Sequence, residues 1–327
     1  MTTPKAGDIL LERFCLERPL ASGAMGEVWA AHVVGTKEKV AVKLARGESA
    51  LRASREADAL RLLDHPGVVG FVDAGSTGET QILVMDLLDG VPLATRLGAS
   101  PMDPPEAMEL ARQLAAALVH AHEAGVVHRD VKASNAILVK RNGQDHLVLL
   151  DFGLGLVEGS PRLSSGDVVL GSSHTMPPEQ VQGVTAGPRA DVYSLGALAF
   201  RMVTGRYPFH ASSPVQVLAM HAHAKVPTLA QRARRTIRVP RGLESLLHAM
   251  LAKDPEQRPS AVEVADRFSA LAAVPETRWV VVEPESEVDP DGVKPPAPAS
   301  PPGLGRWVAA AAIGLVLAAS LTWWLFS

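Results

Sequence analysis

The sequence has few of the features expected of a disulfide-bonded, metal-stabilised or nucleic-acid-binding protein. Its single cysteine, Cys15, cannot form an internal disulfide bond and favours a reducing compartment. A formal net charge of −3 provides no basic surface that could track a phosphate backbone, so no nucleic-acid partner is expected. His120 and His122, like His221 and His223, are two residues apart, which places them on different faces of a helix and argues against a metal cluster.

The N-terminal residues have no charged and apolar regions of the kind found in a secretion signal, so none is expected. We found no convincing internal repeat, and the segments of the chain differ in composition. After an N-terminal extension at residues 1–8, apolar residues recur at helix and strand spacings from 9 to 272, as in one packed domain. Residues 273–305 are rich in proline and acids, which predicts a juxtamembrane linker that is extended where the prolines cluster.

Residues 306–327 contain a long apolar run that predicts a transmembrane tail anchor. About twenty uncharged residues, 307–326, would give about 30 Å of helix, enough to cross a bilayer's hydrocarbon core. A buried amphipathic helix is the alternative, but the run has no polar stripe. Arg306 before it and a tryptophan pair near its end suit interfacial anchors. We therefore expect an inner (plasma) membrane protein whose folded domain is cytoplasmic.

Small residues recur every four positions within this run, at Ala310, Gly314, Ala318 and Thr322. Such a stripe can let two helices approach closely, although so alanine-rich a segment produces it easily by chance. A homodimer, formed through this helix or through the folded domain, therefore stays an open alternative.

Near the start of the domain, Gly23 and Gly26 lie in a turn between two strand-like runs, within "LASGAMGEVW". Glycine at such a turn lets backbone amides approach an anionic ligand. An ordinary hairpin turn would use the same residues, so the turn alone does not identify a phosphate site.

The later run "VAVKL" alternates, so Ala41 and Lys43 share one face of a predicted strand. In the next predicted helix, which Ser49 is expected to cap, Glu56 lies on the apolar face. Leucines follow Glu56 by four and seven positions, on the same face. A buried carboxylate without a cation would cost several kcal/mol, so Glu56 predicts a basic partner, and Lys43 is the nearest candidate.

The stretch "GVVHRDVKASNAIL" carries an unusual density of charge between apolar segments. It follows a leucine-rich helix that Gly125 is expected to cap, so Asp130, Lys132 and Asn135 occupy a loop on a rigid scaffold. A second carboxylate, Asp151, ends the apolar strand "LVLLD". Carboxylates, an amide and lysines are the groups that phosphoryl transfer requires, because hard oxygens hold Mg²⁺ and cations neutralise phosphate.

In order and spacing, these motifs resemble those of bacterial eukaryotic-like (Hanks-type) serine/threonine protein kinases, through essentially all of residues 9–272. The resemblance implies an α+β, bilobal protein-kinase fold, with a small antiparallel β-sheet N-lobe at about 9–85 and a mostly helical C-lobe at about 89–272. The transmembrane helix would follow. The motifs are "ASGAMGEV", "VAVK", Glu56, "HRDVKASN", "DFG", "PPE" (177–179), "DVYSLG" (191–196) and "QRP" (257–259).

The resemblance implies catalytic roles. Asp130 would orient the acceptor hydroxyl and take its proton, and Lys132 would contact the γ-phosphate. Lys43, paired with Glu56, would bind the α- and β-phosphates. A lysine two positions after the base is typical of serine/threonine kinases, so protein substrates with serine or threonine acceptors are expected.

The implied cofactors are ATP and Mg²⁺, which Mn²⁺ could replace. Asn135 and Asp151 would hold the metal. The glycine-rich turn would cover the phosphates, and apolar side chains would enclose adenine. The expected nucleotide contacts are Leu20, Ala21, Ser22, Gly23, Ala24, Gly26, Val28, Ala41, Lys43, Met85, Asp86, Leu88 and Ile137.

Regulation is implied by Arg129, since a phosphorylated activation loop pairs with this arginine in kinases that have it. Among the hydroxyl side chains between residues 154 and 176, Ser164, Ser165 and Ser172 are the expected regulatory sites. The alternative is that these serines simply solvate a loop.

Other matches are structural. Asp191 is expected to cap a helix that Gly205 ends, and in the family this aspartate also braces the catalytic loop. Glu179 and Arg258 resemble the ion pair that pins the end of the activation segment. The sequence departs from the family pattern at Ala21, Ala133, Ser172 and Pro177, none of which removes a charged catalytic group.

Two alternatives to an active, membrane-tethered kinase stay open. A catalytically weak or inactive scaffold of this fold would usually lack a lysine or aspartate that is present here. A small-molecule phosphotransferase shares the catalytic and metal-binding side chains, but that class lacks the segment closed by "PPE" and the later "QRP".

Overall fold

A computed structural model describes residues 4–23, 26–99, 101–152 and 173–285. The chain divides into two units, residues 1–285 and 286–327, of which only the first contains described residues. Within that part, no helix combines the length and apolar character that a membrane span requires. The predicted tail anchor at 306–327 lies outside the described residues.

Six antiparallel strands form a sheet in the first part of the domain, in the order β1-β2-β3-β4-β6-β5. A helix packs against β4, β5 and β6. These elements are β1 (Ile9–Leu10), β2 (Phe14–Gly23), β3 (Gly26–Val33), β4 (Lys39–Ala45), α1 (Glu48–Leu60), β5 (Phe71–Thr77) and β6 (Thr80–Asp86).

The alternation predicted for β4 is confirmed. Val40 and Val42 join a small apolar cluster with Phe14, on one face of the sheet. Ala41 belongs instead to the main core, and Lys43 is buried. The period of two in a strand therefore directs the lysine away from the sheet's own small core.

The second part of the domain is mostly helical, with α3, α5 and α9 in mutual contact. Its helices are α2 (Leu93–Ala99), α3 (Pro104–Glu123), α4 (Pro178–Val181), α5 (Pro188–Thr204), α6 (Pro214–His223), α7 (Leu229–Arg232), α8 (Leu243–Met250) and α9 (Ala261–Ala272). Its strands are β7 (Gly90–Pro92), β8 (Ala136–Arg141), β9 (Gln144–Leu149), β10 (Ile237–Pro240) and β11 (Trp279–Val282), and its 3₁₀ turns are Ala133–Asn135, Pro255–Gln257 and Glu276–Arg278.

Helix ends agree with the sequence in part. Gly125 follows α3 at a φ of 75°, and Gly205 ends α5 at a φ of 81°, both in the left-handed region that favours glycine. The two predicted N-caps are wrong. Gly47 precedes α1, so Ser49 lies inside the helix, and Asp191 lies in the first turn of α5, where its carboxylate is used elsewhere.

The domain continues beyond residue 272, where the sequence predicted a linker. β11 pairs antiparallel with β10, with Val282 opposite Ile237 and Trp279 opposite Pro240. The N–H of Glu285 then donates to the carbonyl of Ala230 at 3.0 Å. Residues 273–285 are therefore part of the domain, because the β-branched run "VVV" completes a ribbon despite the nearby prolines.

Candidate active site

Lys43 on β4 bridges two carboxylates that come from distant parts of the chain. Its Nζ lies 2.8 Å from Glu56 Oε2 on α1 and 2.6 Å from Asp151 Oδ1 after β9. Lys43 is 5% exposed and Glu56 is 0% exposed. The pairing that the apolar face of α1 predicted is therefore present, and it ties that helix to the sheet.

Burial sets the electrostatics of this triad. It raises the pKa of Glu56 to about 7, an effect that Lys43 opposes and the charge of Asp151 reinforces. Burial also penalises charged Lys43, but the two carboxylates outweigh it and raise the pKa of this lysine. For Asp151, burial acts against the charged form, yet Lys43 keeps its pKa below the usual value. Lys43 therefore stays cationic between two carboxyl groups.

A second group of polar side chains surrounds Asp130. Lys132 Nζ donates to Asp130 Oδ2 at 2.7 Å, and Asn135 Nδ2 donates to the same oxygen at 3.0 Å. Asn135 Nδ2 also donates to the main-chain carbonyl of Asp130 at 3.1 Å. Two donors on one carboxylate oxygen restrain the side chain of Asp130, and a group that must meet a substrate hydroxyl in one orientation needs such restraint.

The donor set of Asn135 and Asp151 fits Mg²⁺. Both partners of the Asn135 amide nitrogen are acceptors, so the amide oxygen faces away from Asp130. The N–H of Leu150 donates to the carbonyl of Asn135 at 2.9 Å, which brings the segment before Asp151 alongside Asn135. Amide and carboxylate oxygens are the hard ligands that Mg²⁺ prefers.

Asp191 holds the loop before Asp130. Its carboxylate accepts from the N–H of His128 at 2.9 Å and from the N–H of Arg129 at 2.6 Å. Arg129 has a φ of 64°, a left-handed conformation that costs a non-glycine residue of order 1 kcal/mol or more. These two hydrogen bonds are those expected if Asp191 braces the catalytic loop, as the resemblance implied. They hold the loop at a residue with a strained backbone.

Two histidines that the sequence analysis did not assign to the site support it. His122 Nε2 lies 2.9 Å from Asp191 Oδ2. His128 is fully buried, with Nε2 2.9 Å from the carbonyl of Leu150 and its ring 4.6 Å from that of Phe152. The histidine before "RD" in the motif was the available signal for the second of these.

The apolar side chains predicted to contact adenine all belong to the main core or pack against it. Ala41 and Met85 face each other across β4 and β6 and are buried in the main core. Val28, Leu88 and Ile137 are partly buried against the same core. Asp86 is exposed, and its N–H donates to the carbonyl of Gly70 at 3.0 Å, so that N–H is not a donor for a nucleotide.

The two glycines of the glycine-rich turn differ in whether the fold requires glycine at their position. Gly26 has a φ of 113°, and a Cβ there would collide with the carbonyl of Leu44, so the sheet itself requires glycine. Gly23 has open space around it, so the fold does not demand glycine there. Leu20, Ala21 and Ser22 are exposed, and Ala24 lies outside the described residues.

Glu179 and Arg258 form a bidentate, buried ion pair. Arg258 Nη1 and Nη2 lie 2.7 Å from Glu179 Oε1 and Oε2, respectively. Arg258 is 1% exposed and also donates to the carbonyls of Arg189, Ala252 and Lys253. Such saturation of a guanidinium is what a buried arginine needs.

The regulatory predictions are only partly visible. Arg129 Nε donates to the carbonyl of Ala186 at 3.1 Å, whereas Ser164, Ser165 and Ser172 lie outside the described residues. Ser173 and Thr175 are buried. These two hydroxyl groups are therefore not offered to a phosphoryl donor in this conformation.

Comparison with known proteins agrees with this geometry. The family model "Protein kinase domain" matches residues 14–268. Serine/threonine-protein kinase pkn2 of Myxococcus xanthus is 39% identical over 272 residues, which are 80% of this chain and 33% of that protein. Serine/threonine-protein kinase PrkC of Bacillus subtilis is 33% identical over 84% of this chain and 43% of that protein. Serine/threonine-protein kinase PknA of Mycobacterium tuberculosis is 32% identical over 94% of this chain and 68% of that protein.

The chain thus spans less than half the length of the first two relatives and about two thirds of the third. The family match nevertheless runs from the start of β2 into α9, and so includes most of the sheet and most of the helical part. The curved antiparallel sheet followed by a helical lobe is the bilobal kinase arrangement that the motifs implied. On this evidence the chain belongs to the protein kinase family.

Proposed function

We propose that the chain is an ATP- and Mg²⁺-dependent protein kinase that phosphorylates serine and threonine side chains of proteins. One observation carries the proposal: two sets of charged groups, Lys43 with its carboxylates and Asp130 with its donors, are complete and oriented. A scaffold without activity would not need two donors on one oxygen of Asp130.

Asp130 would accept the proton of the attacking hydroxyl, since its carboxylate is the oriented acceptor of the loop. Lys132, already 2.7 Å from Asp130, would place positive charge between that hydroxyl and the transferred phosphoryl group. Lys43 would exchange its contact with Asp151 for ATP phosphates while keeping Glu56. Asn135 and Asp151 would hold Mg²⁺ when it binds, and the ion would neutralise charge on the phosphates.

The test is phosphate transfer by the purified full chain. With ATP and Mg²⁺, we expect radiolabel on the chain and on a generic basic protein, at serine or threonine. Mn²⁺ is expected to replace Mg²⁺, and chelation of the metal to abolish labelling, because phosphate charge then lacks its counter-ion. Labelling of neither protein would favour the scaffold alternative. Labelling of small molecules alone would favour the phosphotransferase.

Control by loop phosphorylation is the second part of the proposal. Arg129 lies beside Asp130. The side chains of Asp191 and Gln180 are hydrogen-bonded to the main-chain N–H and carbonyl of Arg129, respectively. A phosphate on Ser164, Ser165 or Ser172 would offer that guanidinium a charge-assisted partner. If every mapped phosphosite lay outside residues 154–176, that result would contradict this part of the proposal.

We further propose that residues 306–327 anchor the chain in the inner membrane, with the kinase domain cytoplasmic. The support is the uncharged run at 307–326. Deleting residues 304–327 is expected to move the protein from the membrane fraction to the soluble fraction and to leave kinase activity within about twofold, because the site lies wholly within residues 1–285. A deletion variant that still sediments with membranes would contradict the anchor.

A further inference from the structure

Two histidines from opposite parts of the domain stack where α1 joins β5. His65 follows α1, and His120 lies on α3. Their ring centroids are 5.4 Å apart, with 26° between the planes, and both side chains are half-buried. The residue next to this pair, Gly67, packs directly against Ala117 of α3. The pair therefore belongs to the contact between the connecting segment 64–69 and α3.

Each ring accepts a hydrogen bond from the main chain of this segment. The N–H of Gly67 donates to His65 Nδ1 at 2.9 Å, and the N–H of Asp64 donates to His120 Nε2 at 3.1 Å. A nitrogen that accepts must carry a lone pair, so both contacts require neutral rings. If these nitrogens were protonated, each ring N–H would point at a main-chain N–H and the hydrogen bond would be lost. Two positively charged rings would also be stacked on each other.

The same segment is bonded to the strand that leads to the site. Leu149 N donates to the carbonyl of Gly67 at 2.9 Å, and Val69 N donates to the carbonyl of Leu149 at 3.0 Å. The next residue, Leu150, donates to the carbonyl of Asn135 at 2.9 Å. The segment thus continues from the helix that carries Glu56 and is joined to β9, the strand that precedes Asp151.

From this geometry we propose that His65 and His120 are positioning residues that keep the active site assembled only while both rings are neutral. Acidification would release segment 64–69 from α3, and the ends of α1 and β9 would lose their shared support. The inference rests on the proposed kinase function for its effect on phosphoryl transfer, but not for its effect on the segment.

Charged groups lie near the pair on its own segment, on β8 and on α3. Burial and the neighbouring His120 both lower the pKa of His65 from its ordinary value of 6.5. Asp64 and Arg61 lie on its own segment, Arg141 of β8 donates to the carbonyl of Pro66, and Glu123 lies one turn along α3 from His120. A histidine with a lowered pKa contributes stability above about pH 6.5 and loses it as the pH falls.

The test uses a double variant of the full chain, His65→Asn with His120→Gln, whose amide oxygens can accept the same two N–H groups without titrating. His223→Asn, at an exposed histidine, is the matched control. Hydrogen exchange of peptides covering residues 61–70, corrected for intrinsic rates, is measured between pH 7.5 and 5.5. Protection is expected to fall about tenfold in wild type and control and to stay within about twofold in the double variant.

Kinase rates are measured on the same samples. The ratio of the rate at pH 5.5 to that at pH 7.5 is expected to be at least about threefold higher in the double variant than in wild type. Equal exchange profiles in wild type and double variant would overturn the inference, and so would an exchange difference without a difference in rate ratio. If the exchange difference appeared in a chain that transfers no phosphate at any pH, it would support the role of the two histidines at segment 64–69. The same result would contradict the proposed kinase function.

Discussion

Replacing Asp130 by asparagine is expected to lower the rate of phosphoryl transfer by about 10²–10⁴-fold, the range for losing a positioned general base. The amide cannot take a proton from the attacking hydroxyl. Its oxygen can still accept from Lys132 and Asn135, which lie 2.7 and 3.0 Å from the native carboxylate. The fold and the nucleotide affinity should therefore change little.

The measurement is the initial rate of phosphate incorporation, with phosphosite mapping of wild type and variant. Sites that disappear in the variant are autophosphorylation sites. Asp266→Asn, at an exposed position on α9, is the control and is expected to keep the wild-type rate. An Asp130→Asn variant that retained a third or more of the activity would remove Asp130 from the role of base.

Replacing Arg258 by methionine is expected to reduce the free energy of unfolding by about 3–5 kcal/mol, which is the cost of leaving one member of a buried ion pair without its partner. Glu179 would stay buried without its two 2.7 Å contacts. Three main-chain carbonyls would lose a donor as well. Equilibrium unfolding in urea gives the difference.

An exposed pair on the same domain supplies the control. Arg235 and Asp103 are 2.6 Å apart, but their side chains are 47% and 74% exposed. Arg235→Met should cost less than about 1 kcal/mol, because solvent already screens this contact. Adding Glu179→Met to Arg258→Met should restore part of the loss, since the unpaired buried charge is then gone. If Arg235→Met and Arg258→Met lowered the free energy of unfolding by similar amounts, burial would not set the strength of the pair between Arg258 and Glu179.

Much of the site was readable from the sequence because short-range periodicity reports on burial. The leucines after Glu56 placed a carboxylate on an apolar face, and the alternation of β4 directed Lys43 toward it. These two patterns made Lys43 the nearest candidate partner, and the structure has the two side chains 2.8 Å apart. The bond between Asp191 and the catalytic loop came instead from the resemblance, since no local pattern links residues 62 positions apart.

The wrong predictions have a common physical cause. Ser49 and Asp191 are residue types that cap helices, but where a helix begins depends on what its first turn packs against. Pro188 starts α5 three residues before Asp191, whose carboxylate is used by the catalytic loop. The stack of His65 on His120 was invisible for a similar reason, because main-chain donors at a distant contact leave no pattern in the sequence.

The β10–β11 ribbon decides where a recombinant fragment of the domain should stop. A truncation at residue 272 removes β11, so β10 loses its hydrogen-bonded neighbour and the buried Ile237 and Val239 lose their cover. An unpaired strand edge with apolar side chains is a template for aggregation. A fragment that ends after Glu285 keeps the ribbon closed, which makes it the better starting point for a soluble enzyme preparation and for crystals.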